Sequence, residues 1–427
     1  MKGNKWLNAV VPAFLIHLGI GIIYCWSTIK IDFARALNVA TAELESTFST
    51  AVFFIGLMAM LSGVGRFNMG SPKVNVIISW VLSLLGLSGL EWAVHTEDLT
   101  VFQFSFGVIL GSAVGWGYMR PVRNVLMWFP REGTGLAIGL ALSGFGLSKA
   151  IFAPLMPYLN DVYGLETTIY YLIGACCILF LTATLLIRRP EHWVAPIRFG
   201  LRDLIYLTFK GSFYRIWIMF LLITACGLAI LSFEAGLAES LKVENVTWVM
   251  VVSALANAMG RFVGGIVSDH QKRKEINFVI ITALSGIVGF VIVLIGHFTV
   301  VTMMIYLIIV NLTLGTSFST LPILLKQRFF FEALSAIYGL ALFAWGFAGF
   351  VGIGIGNFVI YEHNGKYIEL VAILSVIFLM TLVIALTLLL QKKYRANFSN
   401  LIYFQDHELP ADNGEYGESQ RNLSIPD

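Results

Sequence analysis

Apolar residues along this chain gather into twelve long runs, which are separated by short polar segments. About 20 predominantly apolar residues in a helix, at 1.5 Å per residue, are enough to cross roughly 30 Å of hydrocarbon. The runs lie at roughly 8–29, 46–64, 74–94, 101–128, 135–159, 167–187, 213–235, 246–267, 277–297, 299–325, 334–361 and 368–391. The pattern therefore predicts an all-α integral membrane protein with twelve transmembrane helices.

The longest polar connection, 188–212, divides the twelve runs six and six. A weak internal repeat supports this division, because Gly63 corresponds to Gly265 and the segment 144–146 (GFG) corresponds to 346–348 (GFA). We therefore predict two pseudo-symmetric six-helix bundles produced by duplication. The predicted parts are an N-terminal bundle at 1–187, a central cytoplasmic linker at 188–212, a C-terminal bundle at 213–391 and a disordered cytoplasmic tail at 392–427.

Composition and charge agree with a membrane protein and indicate its orientation. The chain is 58% hydrophobic and 12% charged, whereas about 25% of residues are charged in an ordinary soluble domain. With the N-terminus inside, the external loops hold only Lys30, Arg35, Lys242 and Lys366, and most other Lys and Arg residues face the cytoplasm. The positive-inside rule then places both termini in the cytoplasm. We predict a multi-pass protein of the cell (cytoplasmic or inner) membrane.

Ionisable residues inside apolar spans are costly in lipid and are functional candidates for that reason. Arg261 lies eight residues before Asp269, about 12 Å along the eighth helix and close to the membrane midplane. Asn257 lies one turn further along the same face. A guanidinium fork suits a carboxylate bound through both oxygens. The alternative is a structural Arg261 bonded to backbone carbonyls.

Two further basic residues are candidates for a second cation in the same cavity. Arg120 lies deep in the fourth span, but Tyr118 points about 200° away from it, so both line one cavity only if Pro121 distorts the helix. Lys149 in the fifth span either lines the pathway or pairs with an acid. Because Glu234 lies near an outer helix end, we expect no carboxylate deep in the core, and this favours anion exchange or uniport over proton symport.

The loop after the eighth span combines Gly265, Asp269 and Arg273. The glycine permits close helix approach, and the aspartate can cap or pair with a neighbouring helix in one conformation only. The alternative is a basic turn that serves topology alone. In the first-half copy of this loop, Phe67 stands where the acid is expected.

Several classes of protein are disfavoured by missing motifs. The sequence has no phosphate-binding loop, no zinc-type Cys/His cluster and no nucleophile elbow. We therefore expect neither an enzyme nor a bound cofactor or metal. The expected partners are a small organic anion and the lipid bilayer, without nucleic acid, for a protein that functions as a monomer.

A set of short motifs resembles the oxalate/formate antiporter family of the major facilitator superfamily, which is related to monocarboxylate transporters. The set comprises Gly21-Ile-Ile-Tyr24-Cys-Trp26, Tyr118 ten residues before Trp128-Phe129-Pro130, Gly135-Leu-Ala-Ile-Gly, Gly144-Phe145-Gly146, and Asn257-x-x-x-Arg261 with Ser268-Asp269. The resemblance implies the major facilitator fold, with a substrate site between the bundles that opens to each side in turn. It also implies that Arg261 binds the carboxylate beside Asn257, with Tyr24 and Tyr118 as pocket walls.

The sequence departs from that family pattern at the presumed pocket. Trp345 stands where an eleventh-span lysine is expected, and in the tenth span Leu314 replaces a pocket aromatic while Phe318 partly supplies one. With Arg261 as the cation assigned to the carboxylate, we predict a carrier of small monocarboxylates. The alternatives are an oxalate or dicarboxylate exchanger, a proton-coupled monocarboxylate symporter, and a membrane receptor on the same fold that does not transport.

Overall fold

The computed structural model describes residues 3–64, 71–130, 132–191, 213–296, 298–329, 333–363 and 366–391, together with the isolated positions 202, 205 and 208. Within these residues, twelve helices are long and apolar enough to cross a membrane. They are α1 (Trp6–Ala36), α2 (Thr41–Gly63), α3 (Pro72–Thr96), α4 (Leu99–Trp128), α5 (Thr134–Tyr163), α6 (Leu165–Leu186), α7 (Phe213–Ser240), α8 (Val246–His270), α9 (Glu275–Ile295), α10 (Val300–Arg328), α11 (Leu334–Glu362) and α12 (Tyr367–Leu390). The prediction of twelve transmembrane helices is confirmed.

Helix α1 differs most from its predicted bounds. It continues to Ala36, so Lys30, which was expected in an external loop, lies inside the helix and is buried. The reason is that its charge is paired within the protein, as described below. Phe67, the tail at 392–427 and most of the linker at 188–212 lie outside the described residues.

Helices α1–α6 and α7–α12 form two bundles that meet along a central interface. The most extensive contacts across it join α5 to α8 and α2 to α11. These two pairs are equivalent under the sequence repeat, because α11 is the second copy of α5 and α8 is the second copy of α2. The interface therefore has the pseudo-two-fold arrangement expected of a duplicated six-helix unit.

Glycine allows both helix pairs to approach at backbone distance. In the α2–α11 pair, a Cβ added to Gly56 would lie 2.5 Å from the backbone nitrogen of Gly346. In the α5–α8 pair, Gly135 and Gly265 face each other so closely that a Cβ on either would overlap the carbonyl oxygen of the other. Small residues at such crossings are typical of helix packing in membranes, where close backbone contact replaces the hydrophobic driving force.

Candidate functional site

Arg261 lies at the centre of the bundle interface, and its side chain is fully buried. Its Nε donates a hydrogen bond to the Asn257 side-chain oxygen at 3.0 Å, one turn earlier in α8. Its Nη1 donates to the Tyr118 hydroxyl on α4 at 3.3 Å. Since α4 belongs to the first bundle and α8 to the second, the guanidinium is held by side chains from both halves of the protein.

Aromatic rings surround this guanidinium on several sides. Its carbon lies 4.7 Å from the ring centre of Phe318 and 5.1 Å from that of Phe145. The Trp345 ring contacts Phe318 and Tyr118, with centroid separations of 4.8 and 5.3 Å. Together these rings form an apolar cage in which an electrostatic contact is stronger than in water.

Tyr24 joins the cage through an irregular segment of α1. Residues Gly21–Cys25 form a 3₁₀ turn inside the helix, a feature that often marks a hinge. Gly21 permits it to lie against α5, because an added Cβ would be 2.6 Å from the Phe145 carbonyl oxygen. The turn brings the Tyr24 ring to 4.6 Å from Phe145 and 6.5 Å from Trp345.

Three polar groups of this cage are buried without a hydrogen-bond partner among the described residues. They are Arg261 Nη2, the Tyr24 hydroxyl and Trp345 Nε1. No described carboxylate lies within ion-pair distance of Arg261. Buried donors are normally satisfied, and a buried cation without a counterion costs several kcal/mol even after relaxation. The arrangement is therefore suited to an oxygen-rich anion.

A second charged layer lies next to the cage. Lys149 on α5 forms a fully buried ion pair with Glu234 on α7. The Lys149 amino group also donates to the Ser253 hydroxyl on α8 at 3.1 Å. Ser253 in turn donates to one Glu234 oxygen at 2.8 Å, and Ser27 on α1 approaches the other at 3.4 Å. The pair therefore connects the two bundles and satisfies both oxygens of the carboxylate.

This pair corrects one expectation from the sequence. Glu234 lies six residues before the end of α7, but its side chain is 0% exposed. A carboxylate does therefore lie in the core, and the argument that favoured exchange or uniport over proton symport loses its premise. The sequence signal for this layer was the spacing of polar residues along two helices. Lys149 follows the cage residue Phe145 by four positions, and Ser253 precedes Asn257, the partner of Arg261, by four positions.

A third charged layer lies further along α1, at what we call the Glu45 end. Glu45 on α2 is fully buried and pairs with Lys30 on α1. Lys30 also donates to the Ser232 carbonyl on α7 at 3.1 Å. The same carboxylate accepts hydrogen bonds from the Ser232 hydroxyl at 2.6 Å and from the Trp26 indole at 3.3 Å. Charged side chains therefore close this end of the interface.

The opposite end, which we call the Asp269 end, is closed by backbone groups. The two Asp269 carboxylate oxygens accept hydrogen bonds from the backbone N–H groups of Gly135 and Leu136, at 2.7 and 2.9 Å. These N–H groups lie in the first turn of α5, where a negative charge is favourable. Lys326 on α10 donates to the Phe129 carbonyl at 3.2 Å. Gly265 and Asp269, which were expected in a loop, therefore lie in the last turns of α8, and Asp269 contacts a helix of the other bundle.

Two of the predicted residues have partners outside the cage. Arg273 donates to the Gln391 carbonyl at 3.1 Å, beyond the end of α12. Arg120 donates to the Ser62 carbonyl on α2, on a different face of α4 from Tyr118. Among the candidate pocket residues, the structure brings together Arg261, Asn257, Tyr24, Tyr118, Trp345 and Phe318. Sequence reasoning missed Phe145 as a cage residue, although its place between two glycines of the repeated motif was a signal.

Comparisons with known proteins agree with this architecture. The pattern of the Major Facilitator Superfamily matches residues 13–353. An uncharacterised MFS-type transporter of Escherichia coli (strain K12), YhjX, is 25% identical over 363 residues, which cover 83% of this chain and 86% of that protein. The oxalate:formate antiporter of Oxalobacter formigenes is 23% identical over 64% of this chain and 65% of its own length.

Apicoplast pyruvate carrier 1 of Toxoplasma gondii is 26% identical over a shorter region, 38% of this chain and 36% of that protein. Among solved structures, the transporter FucP in its outward conformation matches with a TM-score of 0.64, covering 88% of this chain and 98% of that one. At 13% identity this likeness concerns the fold alone. From the family match over most of its length and from its twelve-helix fold, the chain belongs to the Major Facilitator Superfamily.

Proposed function

We propose that this protein is a secondary carrier of small monocarboxylates, in which Arg261 binds the carboxylate group. The observation that carries the proposal is the buried guanidinium, which has a free Nη2 and no described counterion. The free Trp345 indole N–H and Tyr24 hydroxyl are further groups able to bind carboxylate oxygens. The substrate would thus supply the missing negative charge.

Charge balance in the core favours a monoanion over a dianion. Glu234 neutralises Lys149, so of these two cations only Arg261 is left to attract an anion. A dianion would leave one buried negative charge without a partner, at a cost of several kcal/mol. The ring faces of Trp345 and Phe318 offer apolar surface to a short carbon tail, worth about 25 cal/mol per Å² buried. Anions of the size of lactate or pyruvate fit both conditions.

The proposed mechanism is alternating access by rocking of residues 1–187 against 213–391. Contacts between the bundles are present at both the Glu45 end and the Asp269 end, and the central cage is buried. An occluded intermediate has this arrangement. We further propose that the Asp269 end faces the cytoplasm in the cell membrane, with both termini inside, and that one chain suffices for transport.

The relatives support the substrate class. One is named for the exchange of oxalate and formate and another for carrying pyruvate, and all three of these anions are small carboxylates. Of the three, only oxalate is a dianion at neutral pH, and the charge balance described above disfavours it here. For this chain we therefore propose monocarboxylates as substrates, and not dicarboxylates such as oxalate.

A substrate panel in proteoliposomes tests the proposal. Purified protein is reconstituted, and uptake and counterflow are measured for formate, lactate, pyruvate, oxalate and uncharged molecules of similar size. We expect counterflow of lactate or pyruvate above protein-free vesicles and none of the uncharged molecules. Binding of a monocarboxylate without any translocation would support a receptor instead. An additional inward proton gradient, applied without an exchange partner, distinguishes symport from exchange.

A further inference from the structure

The Lys149–Glu234 pair lies next to the proposed substrate site on two helices at once. On α5, Lys149 follows the cage residue Phe145 by four positions. On α8, Ser253 precedes Asn257 by four positions, and Asn257 precedes Arg261 by four more. Four residues of helix correspond to about 6 Å along the axis. The charged pair is therefore about one helical turn from the layer that contains the Asn257 side chain.

In the layer of the Lys149–Glu234 pair, the Glu234 carboxylate already binds the cation to which a second substrate carboxylate would bind. One of its oxygens accepts from Ser253 at 2.8 Å, and the carboxylate pairs with Lys149. Ser27 contacts the other oxygen from the first bundle. The carboxylate is thus an anion supplied by the protein itself, bound to a cation that otherwise would attract one from solution.

We propose that Glu234 determines the charge selectivity of the carrier: by neutralising Lys149 it excludes dianions and leaves Arg261 to select monoanions. This inference rests on the proposed function and adds Glu234 as a residue that keeps Lys149 from binding a substrate carboxylate. Lys149 is then a dormant second anion-binding residue. A small dicarboxylate is the class of ligand that it would bind together with Arg261 once Glu234 is neutral.

The substitution Glu234→Gln tests the idea because it removes the charge and preserves nearly the same shape. The oxygen of the introduced amide can still accept from Ser253. Lys149 then remains buried without a counterion, and a buried unpaired charge is strongly unfavourable. A bound dianion relieves this cost, whereas in the wild-type protein it would face Glu234. We therefore expect a gain of dianion binding, which a merely misfolded variant could not show.

The experiment measures competition by oxalate and by pyruvate against labelled pyruvate counterflow in one preparation of each variant. Thermal stabilisation of detergent-solubilised protein by each anion is measured in parallel. We expect Glu234→Gln to shift the ratio of oxalate to pyruvate affinity by at least about tenfold toward oxalate, the lower range for close charge pairs at interfaces. The second variant, Glu234→Gln with Lys149→Gln, should return the ratio to the wild-type value.

Glu45→Gln is the matched control. It also neutralises a fully buried carboxylate that pairs with a lysine and bonds across the bundles, but at the third charged layer. Its oxalate-to-pyruvate ratio should stay at the wild-type value. An equal shift in Glu45→Gln would show a general effect of net charge and would overturn the assignment to Glu234.

The remaining outcomes separate the inference from the proposed function. An unchanged ratio in Glu234→Gln, in counterflow and in thermal stabilisation, contradicts the role of Glu234 and leaves the monocarboxylate carrier intact. A gain of oxalate binding that persists after Lys149→Gln contradicts the role of Lys149. Wild-type protein that neither binds nor carries any monocarboxylate contradicts the proposed function itself.

Discussion

The two ends of the bundle interface are closed by different kinds of contact. At the Glu45 end, the contacts are between charged and hydroxyl side chains that are almost fully buried. At the Asp269 end, helices α5 and α8 meet at backbone distance through Gly135 and Gly265, and an exposed carboxylate caps a helix. Closure at the Glu45 end therefore depends on the charges of buried side chains, and closure at the Asp269 end depends on the small volume of the two glycines.

This difference has energetic consequences for opening. Separation of the bundles at the Glu45 end detaches Ser232 from the Lys30–Glu45 pair and leaves that pair to water or substrate. Separation at the Asp269 end breaks two hydrogen bonds to backbone N–H groups that water can replace. A change of charge should consequently act mainly at the first end, and an added methyl group mainly at the second.

The largest effect is expected for Glu45→Ala. The substitution leaves Lys30 buried without its partner, and removal of one member of a buried pair costs about 3–5 kcal/mol. The free energy of unfolding, measured by denaturant titration of the purified protein in detergent, should fall by that amount. Asp269→Ala removes an exposed helix cap and should cost about 1 kcal/mol.

A double substitution provides the control for this prediction. Lys30→Met with Glu45→Met removes both charges and keeps apolar volume, which is often neutral for stability. This variant should regain most of the loss seen in Glu45→Ala. Equal losses for Glu45→Ala and Asp269→Ala would contradict the distinction between the two ends.

A smaller effect is expected for Gly265→Ala, which should destabilise the conformation closed at the Asp269 end by about 1–3 kcal/mol. The reason is that the added methyl group overlaps the Gly135 carbonyl when this end is closed. The variant should favour conformations open at this end. Pulsed electron paramagnetic resonance between spin labels at Glu132 and Lys272 should show a population with longer distances. Gly174→Ala is the matched control, because a Cβ there meets nothing within 4 Å, and it should leave the distances unchanged.

The predictable part of this structure is the part that follows from periodicity and local chemistry. Long apolar runs revealed the twelve helices, since lipid requires continuous hydrogen-bonded helices. Arg261 was identifiable as an ionisable residue inside the eighth span, close to the membrane midplane. The Gly265–Asp269 spacing indicated a contact with a neighbouring helix, and the structure identifies that neighbour as the first turn of α5.

The missed features depend on distant pairing. Lys30 was expected in an external loop and Glu45 was not a candidate residue, whereas the packing of α2 and α7 against α1 buries both. Glu234 was expected to be exposed because it lies near the outer end of its helix. In the structure, side chains from α1, α5 and α8 surround its carboxylate. A single sequence shows where a charged residue lies along its own helix. It does not show the ion-pair partner of that residue, because the partner depends on which helices pack together.

The most direct test of the account is transport by Arg261 variants in proteoliposomes. Arg261→Gln removes a fully buried cation that has no described counterion, and loss of one charge partner costs about 2–5 kcal/mol of binding. We predict that pyruvate or lactate counterflow falls at least about 30-fold, with normal membrane insertion, since an uncharged side chain inserts more easily. Arg261→Lys should also fail, because an ammonium cannot replace the planar fork. Near-normal counterflow by Arg261→Gln would contradict the assignment of the substrate site.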